Sequence, residues 1–149
     1  MTRAALLVAG LLTAGACRQA PPPAAALDTR HEMCRTCRMV VSEARVASQV
    51  VTPYEEPAFF DNLDCLAAFL KDTPPKSDAV VYVADHRTKA WVRADQAVYT
   101  RVDGLALPMG SHVVAHESAA SRDADPDAAR GVPATAGQVF PGARLPGAS

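Results

Sequence analysis

The run Leu63, Leu66, Ala67 and Leu70 repeats at helical spacing, is preceded by Asp61 or Asn62 as a cap, and is stopped by Pro74-Pro75. It predicts one short helix over residues 62–72, and what surrounds it is short and β-rich. Residues 39–41 and 46–51 are two β-rich runs separated by Ser42-Glu43-Ala44-Arg45, a spacing that predicts a hairpin. Phe59-Phe60 leads into the helix, and the β-branched run 79–83 follows it. The same order returns more faintly. Residues 89–93 and 97–102 read as a second hairpin, Leu105-Ala106-Leu107-Pro108 as the lead-in, residues 109–119 as a helix with Ser111 as its cap, and residues 138–140 as the closing strand. The expected fold is α+β, two small tandem ββαβ-like units in one compact domain, the first over residues 30–87 and the second over 88–141. Residues 121–136, rich in Asp, Ala, Pro and Gly, predict a frayed helix, and 142–149 a disordered tail.

The N-terminus reads as a targeting segment. Arg3 precedes an uncharged, Ala/Leu-rich stretch over residues 4–16, short of the roughly 20 residues that span a bilayer as a helix. Residues 1–16 are therefore expected to be a signal peptide. The stretch ends Ala14-Gly15-Ala16-Cys17, which resembles the lipobox of bacterial lipoproteins, whose cysteine is acylated. Two or more acyl chains on Cys17 would tether the chain firmly, since one chain alone binds membranes only marginally. Residues 17–29, with Pro21-Pro22-Pro23 and several Ala, are expected to be a spacer. The expected location is the bacterial cell envelope, facing the periplasm.

Composition narrows the function. With 15 Lys+Arg against 16 Asp+Glu, a net charge of -1 and no basic block, the chain lacks the electrostatic footprint of a nucleic-acid binder. No Ser/His/Asp arrangement, Gly-rich phosphate loop or well-placed carboxylate pair points to an enzyme.

Past Cys17, Cys34, Cys37 and Cys65 form an odd set in an oxidising compartment, so at least one is expected to be free or metal-bound. Cys34-Arg35-Thr36-Cys37 brings two sulfurs within reach of one metal or of each other. Structural zinc would need a second pair, where the chain offers Cys65 plus a His. A thioredoxin-like motif should open a helix, whereas this one precedes a β-rich run. A structural disulfide and a soft-metal site remain. Met39, two residues after Cys37, favours the soft metal, because thiolate and thioether ligands select Cu(I). Met109 belongs to the same reading, since Pro108-Met109-Gly110-Ser111 places it in a turn rather than in an apolar stripe. His112 and His116 follow at helical spacing, as a solvated face or as extra imidazole donors.

The series Cys34-x-x-Cys37-x-Met39, Phe60-Asp61-Asn62 with Cys65-Leu66, Tyr82-Val83-x-Asp85, Trp91, Ala97-x-Tyr99 and Pro108-Met109-Gly110-Ser111 resembles the NosL family of copper lipoproteins. The resemblance implies the doubled ββαβ architecture, Cu(I) held through sulfur, and an accessory role in delivering copper to nitrous-oxide reductase as its copper centres are assembled. It maps Cys37 and Met39 onto the family's Cys-Gly-Met and Met109 onto its Pro-Met, with Cys34 and His112 as additional candidate ligands. The implied partners are the copper ion, the membrane through the lipid on Cys17, and a copper-enzyme client. The rival expectations are a periplasmic thiol-disulfide oxidoreductase using Cys34 and Cys37, and a disulfide-stapled lipoprotein without catalysis. Arg38 stands where the family has Gly, at a position that would permit a positive φ.

Overall fold

The computed structural model describes residues 20–146. The lipid-acceptor candidate Cys17, the expected signal peptide and residues 147–149 lie outside the described residues. The elements run in the order β1 (Ser48–Val51), β2 (Ala58–Phe60), α1 (Leu63–Asp72), β3 (Val80–Ala84), β4 (Trp91–Arg93), β5 (Val98–Arg101), a 3-10 turn (Pro108–Gly110), β6 (Val113–His116), α2 (Ala119–Asp123), β7 (Val132–Ala134) and α3 (Ala136–Val139). The fold is α+β, and the order ββαβ occurs twice, as β1-β2-α1-β3 and as β5-β6-α2-β7.

The strands form two antiparallel sheets, ordered β2-β1-β3-β4 and β6-β5-β7. In the first, Ser48 faces Phe60 on one side and Val83 on the other. That end of the sheet therefore gathers the start of β1 and the ends of β2 and β3, and it feeds directly into α1. The Asn62 side chain caps α1 by accepting from the Cys65 N–H, Asp64 and Lys71 suit the helix dipole, and Leu63, Cys65, Leu66 and Leu70 are buried. One core spans both sheets, with Phe60, Leu66, Leu70 and Val83 from the first unit beside Tyr99 and Phe140 from the second. The Tyr99 and Phe140 rings meet edge-on at 5.6 Å.

Several predicted elements are displaced. Residues 39–41 form no strand: Val40 bridges only to Met33, and the hairpin partner of β1 is β2. The predicted hairpin of 89–93 with 97–102 is split between sheets. Ala94 donates to the Val81 carbonyl and β4 pairs with β3, while β5 turns away to pair with β6 and β7. The predicted helix over 109–119 is a 3-10 turn followed by β6, because Val113 and Val114 pair with Arg101 and Thr100 of β5. The predicted frayed helix of 121–136 reduces to α2, its following turn and β7, and β7 closes the second unit in place of residues 138–140. Gly131 lies so close to β5 that a Cβ there would stand 2.3 Å from Thr100 Cγ2, which makes glycine obligatory at this approach.

Flanking segments also pack on the domain. Gln49 accepts from the Ala25 N–H at 2.8 Å and donates to the Ala25 carbonyl at 3.1 Å. The Tyr82 hydroxyl donates to the Pro22 carbonyl at 2.7 Å, so the Pro/Ala-rich segment lies along the sheet from at least Pro22 to Ala25. Leu145 is buried in the core. Among the described residues no helix is long and apolar enough to cross a membrane.

Candidate metal centre

The loop carrying Cys34 and Cys37 is built by its own backbone. The Cys34 N–H donates to the Met39 carbonyl at 2.8 Å, and the Arg38 N–H donates back to the Cys34 carbonyl at 3.0 Å. Closing so tight a loop puts Arg38 at φ 63, the left-handed region in which a residue with a Cβ is strained. The loop is then fastened to two elements of the first unit. The Arg35 N–H donates to the Phe59 carbonyl of β2 at 2.8 Å, and the Thr36 hydroxyl donates to the Cys65 carbonyl of α1 at 2.8 Å.

These fastenings bring Cys34, Cys37 and Cys65 together, with their sulfurs all within 4.8 Å of one another. All three are free thiols, Cys34 and Cys65 buried and Cys37 half-buried. Burial pushes the Cys34 thiol up, but main-chain N–H groups of Cys37, Asp61 and Thr36 aimed at its sulfur outweigh that and hold it below the ordinary thiol value. Cys65 goes the other way: burial first, then the neighbouring Cys34 and Cys37, push its thiol well above the ordinary range. The Cys34 thiol therefore gives up its proton more readily than the Cys65 thiol, and the three sulfurs together are a donor set suited to a soft metal ion.

The predicted residues divide into groups. Cys34 and Cys37 share the cluster, and Cys65 joins them from α1 as a donor that sequence reasoning left without a role. Its signal was there in the odd cysteine count and in the helical spacing that buries it. Met39 and Met109 are not buried: they are 53% and 64% exposed. Met109 takes φ 57 in the 3-10 turn, and that turn is held to the cluster's helix because Asn62 Nδ2 donates to the Pro108 carbonyl at 2.9 Å. His112 is exposed just before β6, with its carbonyl accepting from the Val102 N–H. His116 differs from it in burial. It is fully buried at the end of β6 and bonded to Asp125.

Fold and thiol cluster together define a small α+β protein with a sulfur-lined candidate metal centre at the edge of its first sheet. The NosL family model matches residues 25–141, most of the chain and all of these elements from β1 to α3. The chain belongs to the NosL family. No curated relative and no solved structure matches it.

Proposed function

We propose that this protein is a Cu(I)-binding metallochaperone, held to the membrane in the bacterial periplasm through a lipid on Cys17, that delivers copper for assembly of the copper centres of nitrous-oxide reductase. The observation that carries the reading is the clustering of three free thiols within 4.8 Å in a chain of the NosL family. Cys34 and Cys37 would supply the anionic sulfur. Met39 and Met109, exposed beside the loop and in the turn held to α1, would supply thioethers that take the ion up and pass it on. Cu(I) tolerates few ligands and irregular geometry, so a partner's sulfurs can replace those of the carrier stepwise. His112 is a further donor within the same 108–112 segment. The role is that of a carrier with no catalytic cycle.

The test is an anaerobic Cu(I) titration of the domain against a competing chelator, with the copper-loaded protein then offered to metal-free nitrous-oxide reductase. Tight binding of one Cu(I) through sulfur, followed by transfer, is the expected result. Binding no tighter than in a variant with all three cysteines replaced by Ser would overturn it. Turnover of a disulfide substrate by the metal-free protein would favour a thiol oxidoreductase instead. Cys17→Ala should move the protein out of the membrane fraction without changing its copper affinity.

A further inference from the structure

A second cluster lies where the two sheets meet, built from residues that play no part in the thiol centre. Asp85, immediately after β3, bridges to Ala115 of β6, and the His86 N–H donates to the Ala115 carbonyl at 2.8 Å. This places the His86 ring beside the ring of His116, with centroids 6.2 Å apart. Asp125, in the turn after α2, is directed between them. Its Oδ2 lies 2.7 Å from His86 Nδ1 and 2.9 Å from His116 Nε2. Its other oxygen is fixed by the Asp127 N–H at 3.0 Å. All three residues are at most 3% exposed.

We propose that His86, His116 and Asp125 form a second metal site, for a divalent ion of the zinc class, that ties the two sheets together. One ligand atom from each of the three lies within 4.8 Å of the others. They come from three separate segments, so an ion at their centre would join the end of β3, the end of β6 and the turn after α2. Two imidazoles and a carboxylate form a nitrogen and oxygen set that suits zinc and offers no sulfur to Cu(I), so each ion would have its own address in the protein. The Asp127 N–H holds the carboxylate as an outer-shell partner orients a ligand.

Two buried imidazoles turned onto one carboxylate oxygen converge as ligands of one ion would. One carboxylate oxygen accepting from both rings assigns the proton to Nδ1 of His86 and to Nε2 of His116. Nε2 of His86 and Nδ1 of His116 have no hydrogen-bond partner, so the side-chain hydrogen bonds of both rings converge on Asp125. A dication offsets the buried carboxylate charge. At zinc bond lengths of about 2.0–2.1 Å, tetrahedral ligand atoms stand roughly 3.3 Å apart. Asp125 would therefore draw back by a few tenths of an ångström, a movement available to a residue in a turn. Ligation leaves each ring proton on the outer nitrogen, and the fourth position falls to water.

The probe is Co(II) followed by Zn(II), added to the full chain with Cys34, Cys37 and Cys65 replaced by Ser. One Co(II) should bind with the visible absorption of a tetrahedral nitrogen and oxygen site and without sulfur charge transfer. Zn(II) should displace it and raise the thermal midpoint above that in chelator. His116→Phe and Asp125→Asn should each weaken binding by more than about 100-fold, beyond the loss typical of an outer-shell change, while Cu(I) binding by the otherwise wild-type chain persists. Should the Ser variant fail to fold, the wild-type protein serves: its Co(II) spectrum should resolve a second component free of sulfur charge transfer, removed by His116→Phe. No nitrogen and oxygen component in either protein, or a thermal midpoint indifferent to zinc, would overturn the proposal. Neither result bears on the thiol centre.

Discussion

Asn62 donates to the Pro108 carbonyl at 2.9 Å across 46 residues of sequence, while its Oδ1 accepts the Cys65 N–H at 2.8 Å. One fully buried side chain thus caps the helix that carries Cys65 and anchors the turn that carries Met109. The position of the second unit's thioether relative to the thiols depends on this amide.

Replacing Asn62 separates the two roles. Asn62→Asp keeps an oxygen for the Cys65 N–H but has no N–H for Pro108, so the cap should survive and the Met109 turn should loosen. Asn62→Ala loses both and should destabilise the fold by about 1–3 kcal/mol. Urea unfolding measures the stability, and chelator competition should show weaker Cu(I) binding in both variants.

Among the thiols, Cys34→Ser and Cys37→Ser should each lower Cu(I) affinity by more than about tenfold, with Cys65→Ser doing less, because the Cys34 thiol is held below its ordinary value and the Cys65 thiol is pushed above it. Copper binding should weaken as pH falls, since protons compete for the thiolate. Affinities of the three variants measured at two pH values check both statements. Equal losses at all three positions would indicate a symmetric three-sulfur site.

Met109→Leu should change stability by less than about 0.5 kcal/mol, since the side chain is 64% exposed and the two residues have similar volume. Cu(I) affinity should fall in part. X-ray absorption should then show one sulfur fewer at copper, with a nitrogen in its place if His112 substitutes. An unchanged sulfur count would confine the site to the cysteines and Met39.

Arg38 at φ 63 occupies a conformation that glycine adopts without penalty. Arg38→Gly should therefore stabilise the loop, by about 1 kcal/mol or less once the greater freedom of the unfolded glycine is counted. Denaturant midpoints of the two proteins measure it.

Asp85 gives the metal-free protein an acid limb. Burial raises its pKa, but the Glu117 N–H, the Ser121 hydroxyl and the Thr88 N–H outweigh that and bring it down to about 2. A carboxylate depressed in the folded state contributes stability that is fully present above its unfolded value near 3.8 and is lost as pH falls towards about 2. The contribution is on the order of 2 kcal/mol. Asp85→Asn should remove most of this slope between pH 4 and 2 in thermal scans run in chelator, with pH 4 here about the unfolded pKa.

What the sequence determined by itself was local. Helix α1, predicted over 62–72 and found at Leu63–Asp72, could be read because its cap, its apolar spacing and its stop all lie within a dozen or so residues. Cys34 and Cys37 were legible as a pair for the same reason, whereas the sequence left Arg38 either a different backbone angle or strain, and the closed loop put it at φ 63. Tertiary structure decided what depends on distant partners. Residues 109–119 carry a helical spacing, yet pairing of Val113 and Val114 with β5 made a strand of Val113–His116 and buried His116 against Asp125 while His112 stays exposed. Cys65 entered the thiol cluster because Arg35 and Thr36 fasten the loop to the Phe59 and Cys65 carbonyls, the latter 29 residues away. Periodicity records which residues avoid water, whereas the hydrogen bonds that choose a strand over a helix, or bring a third sulfur to two others, form only when the chain has closed on itself.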